Sequence, residues 1–121
     1  MNKRILIVED HEENRRILRL LLKSANYEVI EAGNGEDGIR LAQEERPDLI
    51  LMDIQLPGLD GYEATRQIKG NPALQRIPII VVTSYALSGD DVKAFAAGCD
   101  AYVAKPVKLR ELLDKIREYL P

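Results

Sequence analysis

The chain has 121 residues, 45% of them hydrophobic, and a formal net charge of −3. That suits one compact domain with its own core, and it leaves no basic stripe to neutralise a run of nucleic-acid phosphates. The single cysteine, Cys99, cannot close an internal disulfide and there is no spaced Cys/His zinc pattern, so Cys99 reads as a small packed residue and a reducing cytoplasm is the expected compartment.

The first predicted strand runs from Arg4 to Val8. Its apolar stretch, Ile5 to Val8, is too short for a signal-peptide core or a membrane span, so neither export nor a membrane partner is expected. Glu9 and Asp10 follow at the strand's exit. His11 comes next and reads as an exposed residue near a helix start. Ile17, Leu18, Leu21, Leu22 and Ala25 recur at helical spacing and predict one buried stripe, with Arg15, Arg16, Arg19 and Lys23 on a solvated face. The second strand, Tyr27 to Glu31, carries two carboxylates and belongs at a sheet edge.

The third strand, Leu49 to Met52, is continuously apolar, with Asp48 at its entry and Asp53 at its exit. A helix is predicted from Asp60, whose carboxylate can cap the backbone while Glu63 reaches back in a capping box. The fourth strand, Ile77 to Val82, delivers Thr83. The fifth, Ala101 to Ala104, is weakly apolar, suits the opposite edge and delivers Lys105. Leu109, Leu112, Leu113, Ile116 and Leu120 predict a last helix reaching Tyr119. Only Leu120 and Pro121 remain, so residues 1–121 are expected to form one domain with no output domain.

Five strand and helix pairs of this kind predict an α/β fold: a five-stranded parallel sheet, order 2-1-3-4-5, with helices on both faces, doubly wound and flavodoxin-like. Ligands of such sheets bind beyond the carboxyl ends of the strands, where chain order reverses between strands one and three. Glu9, Asp10, Asp53, Thr83 and Lys105 all stand at those ends. Carboxylates crowded there would repel one another unless a cation compensates. Oxygen donors favour a hard ion, and a partly open site with few protein ligands suits Mg2+ better than Ca2+. Metal, carboxylate and lysine together form a phosphoryl-transfer set, in which Asp53 is the best-placed nucleophile and Lys105 and Thr83 meet the outer oxygens. Asp48, at the wrong end of its strand, is excluded.

Glu9 with Asp10, the run Met52, Asp53, Ile54, Gln55, Leu56, Pro57, then Asp60 with Gly61, Thr83, and Lys105 with Pro106 together resemble the receiver domain of two-component response regulators. The resemblance spans essentially the whole chain and is nearest the stand-alone single-domain type, as in chemotaxis or cell-division regulators. It implies that Asp53 accepts phosphate from a histidine kinase or histidine phosphotransfer protein. Asp10, Asp53 and the Gln55 backbone carbonyl would bind Mg2+, with Glu9 helping through water. Lys105, the Thr83 hydroxyl and the Ser84 backbone would meet the phosphoryl group. Tyr102 would swing inward and reshape the face of the fourth helix, fifth strand and fifth helix toward an effector protein. The resemblance also implies a cis bond between Lys105 and Pro106, which general statistics alone, at about 5 to 6% of such bonds, would not. Ser84 stands where alanine is frequent, while Gln55 and Tyr85 occupy variable positions that tune phosphate lifetime.

Each residue has a plainer reading as well. Thr83 also fits as a β-former closing a strand, and Tyr102 as a half-buried edge ring. Two other functions are carried. A phosphohydrolase with an aspartate nucleophile would want a second acid two residues on, where this chain has Gln55, so a turnover enzyme is not expected. A nucleotide or flavin binder would want a Gly-rich phosphate loop after the first strand, where Glu9 and Asp10 stand instead.

Overall fold

A computed structural model describes residues 2–83 and 90–121, with the side chains of Asp90 and Asp91 set aside; Ser84 and Tyr85 lie outside the described residues. Strands and helices alternate: β1 (Arg4–Val8), α1 (Glu12–Ser24), β2 (Glu28–Ala32), α2 (Gly35–Glu45), β3 (Leu49–Asp53), α3 (Gly61–Lys69), β4 (Ile79–Thr83), α4 (Asp90–Ala97), β5 (Ala101–Ala104) and α5 (Leu109–Tyr119). All pairings are parallel and the sheet order is β2-β1-β3-β4-β5, as the polarity of the strands predicts.

The central strands read as unbroken apolar runs because both of their faces are covered. Every residue of β3 and β4 is buried. Alternate side chains serve opposite layers. Leu6, Val8, Ile50, Met52, Ile79 and Val81 pack with Ala42 of α2, Ala64 and Ile68 of α3 and Ala94 of α4. Ile5, Ile7, Leu49, Leu51 and Ile80 pack with Leu22 of α1 and with Leu112 and Ile116 of α5. Each such fully buried Leu or Ile contributes roughly 1.5 to 3 kcal/mol, so the sheet is a stiff base for whatever its strand ends carry.

Several boundaries differ from the sequence expectation. β2 starts at Glu28 because the Tyr27 amide is spent on Leu22 O at 3.0 Å, in the turn where Asn26 takes φ 69°. β4 starts at Ile79, two residues late: Ile77 N bonds Leu74 O at 3.0 Å, and Pro78 has no N–H to give. β3 and β4 each run one residue further, to Asp53 and Thr83, which pair opposite Val82 and Ala104. The predicted stripe of α1 is only partly covered: Leu22 is buried, while Ile17 is 51% exposed. Leu109, in the α5 stripe, is exposed as well.

Half of the capping box forms. Asp60 accepts from Glu63 N at 2.9 Å, but the Glu63 carboxylate turns to Arg66 instead of reaching back. The entry to α3 is set by close approach: a Cβ on Gly61 would lie 2.1 Å from Asp53 O and 2.7 Å from Ile54 Cα. Only glycine lets this helix start against the backbone of Asp53.

Candidate functional site

Asp53 ends the middle strand and is 4% exposed. Its Oδ1 accepts from Gln55 N at 3.2 Å, so the residue expected to lend its carbonyl to a metal already ties its amide to the acid. Lys105, one residue past β5, places Nζ 3.3 Å from Asp53 Oδ1 and 3.6 Å from Glu9 Oε1. The Lys105 amide donates to Thr83 O at 2.7 Å, which ties the exits of β4 and β5 together, and the Lys105–Pro106 bond is cis.

Glu9, 3% exposed, is the most tightly held acid of the group. Its backbone donates to Ala32 O at 3.0 Å, fixing it to the exit of β2. Its carboxylate accepts from His11 N at 3.1 Å and from Asn14 Nδ2 at 3.2 Å, and its carbonyl accepts from Arg15 Nη1 at 2.8 Å. Burial pushes the Glu9 carboxyl up, but the His11 amide, the neighbouring acids and Lys105 outweigh it, and the net shift is downward. Asp53 takes the opposite shift. Burial first, then the charge of Glu9, raise its carboxyl from 3.8 to about 6, with Lys105 opposing. In the metal-free protein Glu9 therefore keeps its charge at Asp53's expense.

The structure thus brings Glu9, Asp53 and Lys105 into mutual contact range. Asp10 adjoins them, its side chain 25% exposed, and its Oδ1 is buried with no hydrogen-bond donor among the described residues. A buried anionic oxygen without a donor, beside two further acids, is a donor set that fits a hard divalent cation such as Mg2+. Thr83 is wholly buried at the end of the adjacent strand. Tyr102 is not at the acid cluster: its ring lies half-buried, edge-on to Phe95 of α4 at 5.9 Å and 86°. Ser84, for which a backbone contact was expected, lies outside the described residues.

Four residues make contacts here that the sequence reading did not assign: Asn14, Arg15, Arg19 and His11. Asn14 and Arg15 hold Glu9 from α1, and the signal available was only their helical spacing after an acid pair. The solvated-face expectation fails for Arg15 and Arg19, which pair with Glu31 of β2 at 3.3 and 2.7 Å. His11 is 70% exposed, as expected, yet its Nδ1 stands 3.2 Å from Asp10 Oδ1 and 3.5 Å from Glu9 Oε2. A groove of about 250 Å3 leads from Glu9, Asp53 and Lys105 past Asn14 to the uncovered Ile17 and Leu109.

A doubly wound sheet of this order, with three acids and a lysine at its carboxyl end, is the build of a receiver, the signalling domain that responds to phosphorylation. The chain belongs to that family: the model of the response regulator receiver domain matches residues 5–117. It is 43% identical over 120 residues to the polar-differentiation response regulator DivK of Brucella anthropi, covering 99% of this chain and 98% of that one. Among solved structures, the receiver domain of a sensor histidine kinase from Pseudomonas aeruginosa is 39% identical over 98% of both chains, with a TM-score of 0.92, and holds a magnesium ion in its active-site cleft. A putative response regulator from Chloroflexus aurantiacus superposes with a TM-score of 0.95 at 31% identity, covering 99% of this chain and 98% of that one. The chain is a two-component signalling protein whose work is phosphorylation-dependent. Among the described residues no helix is long and apolar enough to cross a membrane.

Proposed function

We propose that this chain is a receiver acting as a switch in its own right, with Asp53 as phosphoacceptor and Mg2+ held by Asp10, Asp53 and the Gln55 carbonyl, Glu9 assisting through water. The observation that carries the reading is Asp53 itself: buried, at the exit of the middle strand, with the Lys105 ammonium 3.3 Å from Oδ1. An Asp53 oxygen attacks the phosphorus of a phosphohistidine on a kinase or phosphotransfer protein. The new P–O bond forms as the P–N bond breaks, and the electron pair leaves on the imidazole nitrogen, which then takes up a proton. Bound Mg2+ would supply charge neutralisation for the incoming phosphoryl oxygens. Lys105, released from Asp53 and Glu9, pairs with one of those oxygens, and the Thr83 hydroxyl meets another.

The response reaches a partner protein through the face of α4, β5 and α5. Phe95, exposed on α4, meets the half-buried Tyr102 edge-on, and a shallow hollow runs from Tyr102 past Lys105 to Lys115. An inward move of Tyr102 would uncover the edge of Phe95 and alter that hollow. The near-complete mutual coverage with a response regulator of similar length supports reading the receiver fold itself as the signalling unit. Turnover of external esters does not fit this reading: Gln55, two residues past Asp53, has no acidic proton to give a leaving group.

Labelling with a small phosphodonor and Mg2+ tests the assignment. Wild type should take up one phosphoryl group, seen as a mass increase, and Asp53→Asn none. Equal labelling of the variant sinks it.

A further inference from the structure

The acids of this cleft do not face a metal alone. His11 follows Asp10 in sequence, and one ligand atom from each of Glu9, Asp10 and His11 lies within 4.8 Å of the others. Two of the three separations match those of ligands in one coordination shell. Atoms about 2.0 to 2.2 Å from one ion stand about 3 Å apart at a right angle and about 3.4 Å apart at the tetrahedral angle. His11 Nδ1 is 3.2 Å from Asp10 Oδ1 and 3.5 Å from Glu9 Oε2. That Asp10 oxygen is buried and accepts no hydrogen bond among the described residues.

We propose that His11 converts the Glu9–Asp10 pair into a chelating site for a borderline divalent transition metal, with Zn2+ as the probe, in competition with Mg2+. The inference rests on the reading of these two acids as the metal-facing pair of the receiver site. Mg2+ prefers oxygen and gains little from an imidazole, whereas Zn2+ takes nitrogen and carboxylate oxygen together and binds such mixed sets more tightly than earlier metals of its row. An ion ligated by His11 would be held through Glu9 Oε2 and the buried Asp10 Oδ1, and so would engage both acids that Mg2+ needs. Occupancy by one ion therefore excludes the other. A receiver so equipped would lose phosphoryl uptake when free zinc rises, without any change in its kinase.

Titration calorimetry on untagged full-length protein tests this, with Zn2+ and Mg2+ separately on wild type, His11→Asn and Asp53→Asn. His11→Asn keeps the backbone amide that holds Glu9 and should weaken Zn2+ by about tenfold or more while Mg2+ affinity stays within about twofold. The Co2+ complex of wild type should show visible absorption that changes in His11→Asn, because a nitrogen ligand has gone. Asp53→Asn should keep the Zn2+ site, since Asp53 is not one of its ligands. Low Zn2+ should suppress Mg2+-dependent labelling of wild type and spare His11→Asn. Unchanged Zn2+ affinity in His11→Asn overturns the proposal, and so does an equal loss of Zn2+ and Mg2+, which would make His11 a support for the acids and not a selecting ligand. Should wild type fail to label with Mg2+ at all, the phosphoacceptor reading falls, while the Zn2+ titration still judges His11 by itself.

Discussion

The two ends of the sheet carry the same kinds of charged residue and use them differently. At the amino ends of the strands every named acid is answered. Asp48 Oδ2 accepts from Arg4 N at 2.8 Å, and the Arg4 guanidinium reaches the carbonyl and carboxylate of Glu45. Asp100 Oδ2 accepts from Ile79 N at 2.8 Å and pairs with Lys69 Nζ at 2.8 Å; that ammonium also donates to Gln75 O and Ile77 O. At the carboxyl ends Asp53 has its carboxyl raised to about 6, and Asp10 Oδ1, with the exposed His11 ring 3.2 Å away, accepts no hydrogen bond among the described residues. One end is satisfied and closes the fold. The other is left with crowded, partly unanswered carboxylates, a charge that a cation would relieve.

Substitutions can break this contrast. The largest effect expected is on chemistry alone: Lys105→Ala removes the cation nearest Asp53 and should slow labelling by a small phosphodonor about 100-fold. Fluorescence-detected melting should show it folded. A folded variant that labels at the wild-type rate would remove Lys105 from the site. The converse change is Asp100→Ala, which strands the Ile79 amide and one bond of Lys69. It should cost about 1 to 3 kcal/mol in urea unfolding, with the labelling rate of the folded protein unchanged.

A third change joins both ends of the comparison through pH. The folded-state value of Asp53, about 6, lies above its ordinary 3.8, so the stability this group contributes is present below 3.8 and lost as pH rises through 6. Metal-free wild type therefore carries a penalty at pH 7.5 that Asp53→Asn lacks. The variant should melt about 3 °C or more higher in EDTA at pH 7.5, the gap narrowing toward pH 4. Mg2+ should raise wild type more than the variant. A gap that is constant with pH would contradict the upward shift of the Asp53 carboxyl by burial and by Glu9. The smallest effect belongs to Asn14→Ala, which frees Glu9 Oε1 to lean on Lys105 and should weaken Mg2+ about threefold by calorimetry.

Much of this was legible in the chain. Continuous apolar runs placed β1, β3 and β4 in the interior, and the two glutamates of β2 put it at an edge. Residues at strand exits pointed to Asp53 because parallel strands bring their carboxyl ends together whatever the loops do. What stayed hidden depends on long-range encounters. Periodicity marked Ile17 and Leu109 as core positions, but it cannot tell whether a stripe meets a partner along its whole length, and these two flank a groove instead. Arg19 and Glu31 lie on different elements, so no spacing rule links them. His11 looked solitary because its relation to Asp10 and Glu9 arises from the turn between β1 and α1. Pro78 was visible, yet Ile77 before it and the aliphatic run after it masked its effect on the start of β4.

The glycine that opens α3 has a consequence for change over time. Replacing a helical glycine by alanine ordinarily stabilises a helix by about 1 kcal/mol, so a search for sturdier variants would be drawn to Gly61. There the added methyl would collide with the Asp53 carbonyl, 2.1 Å away. Drift toward a better helix is blocked at that one position by the backbone of Asp53 itself.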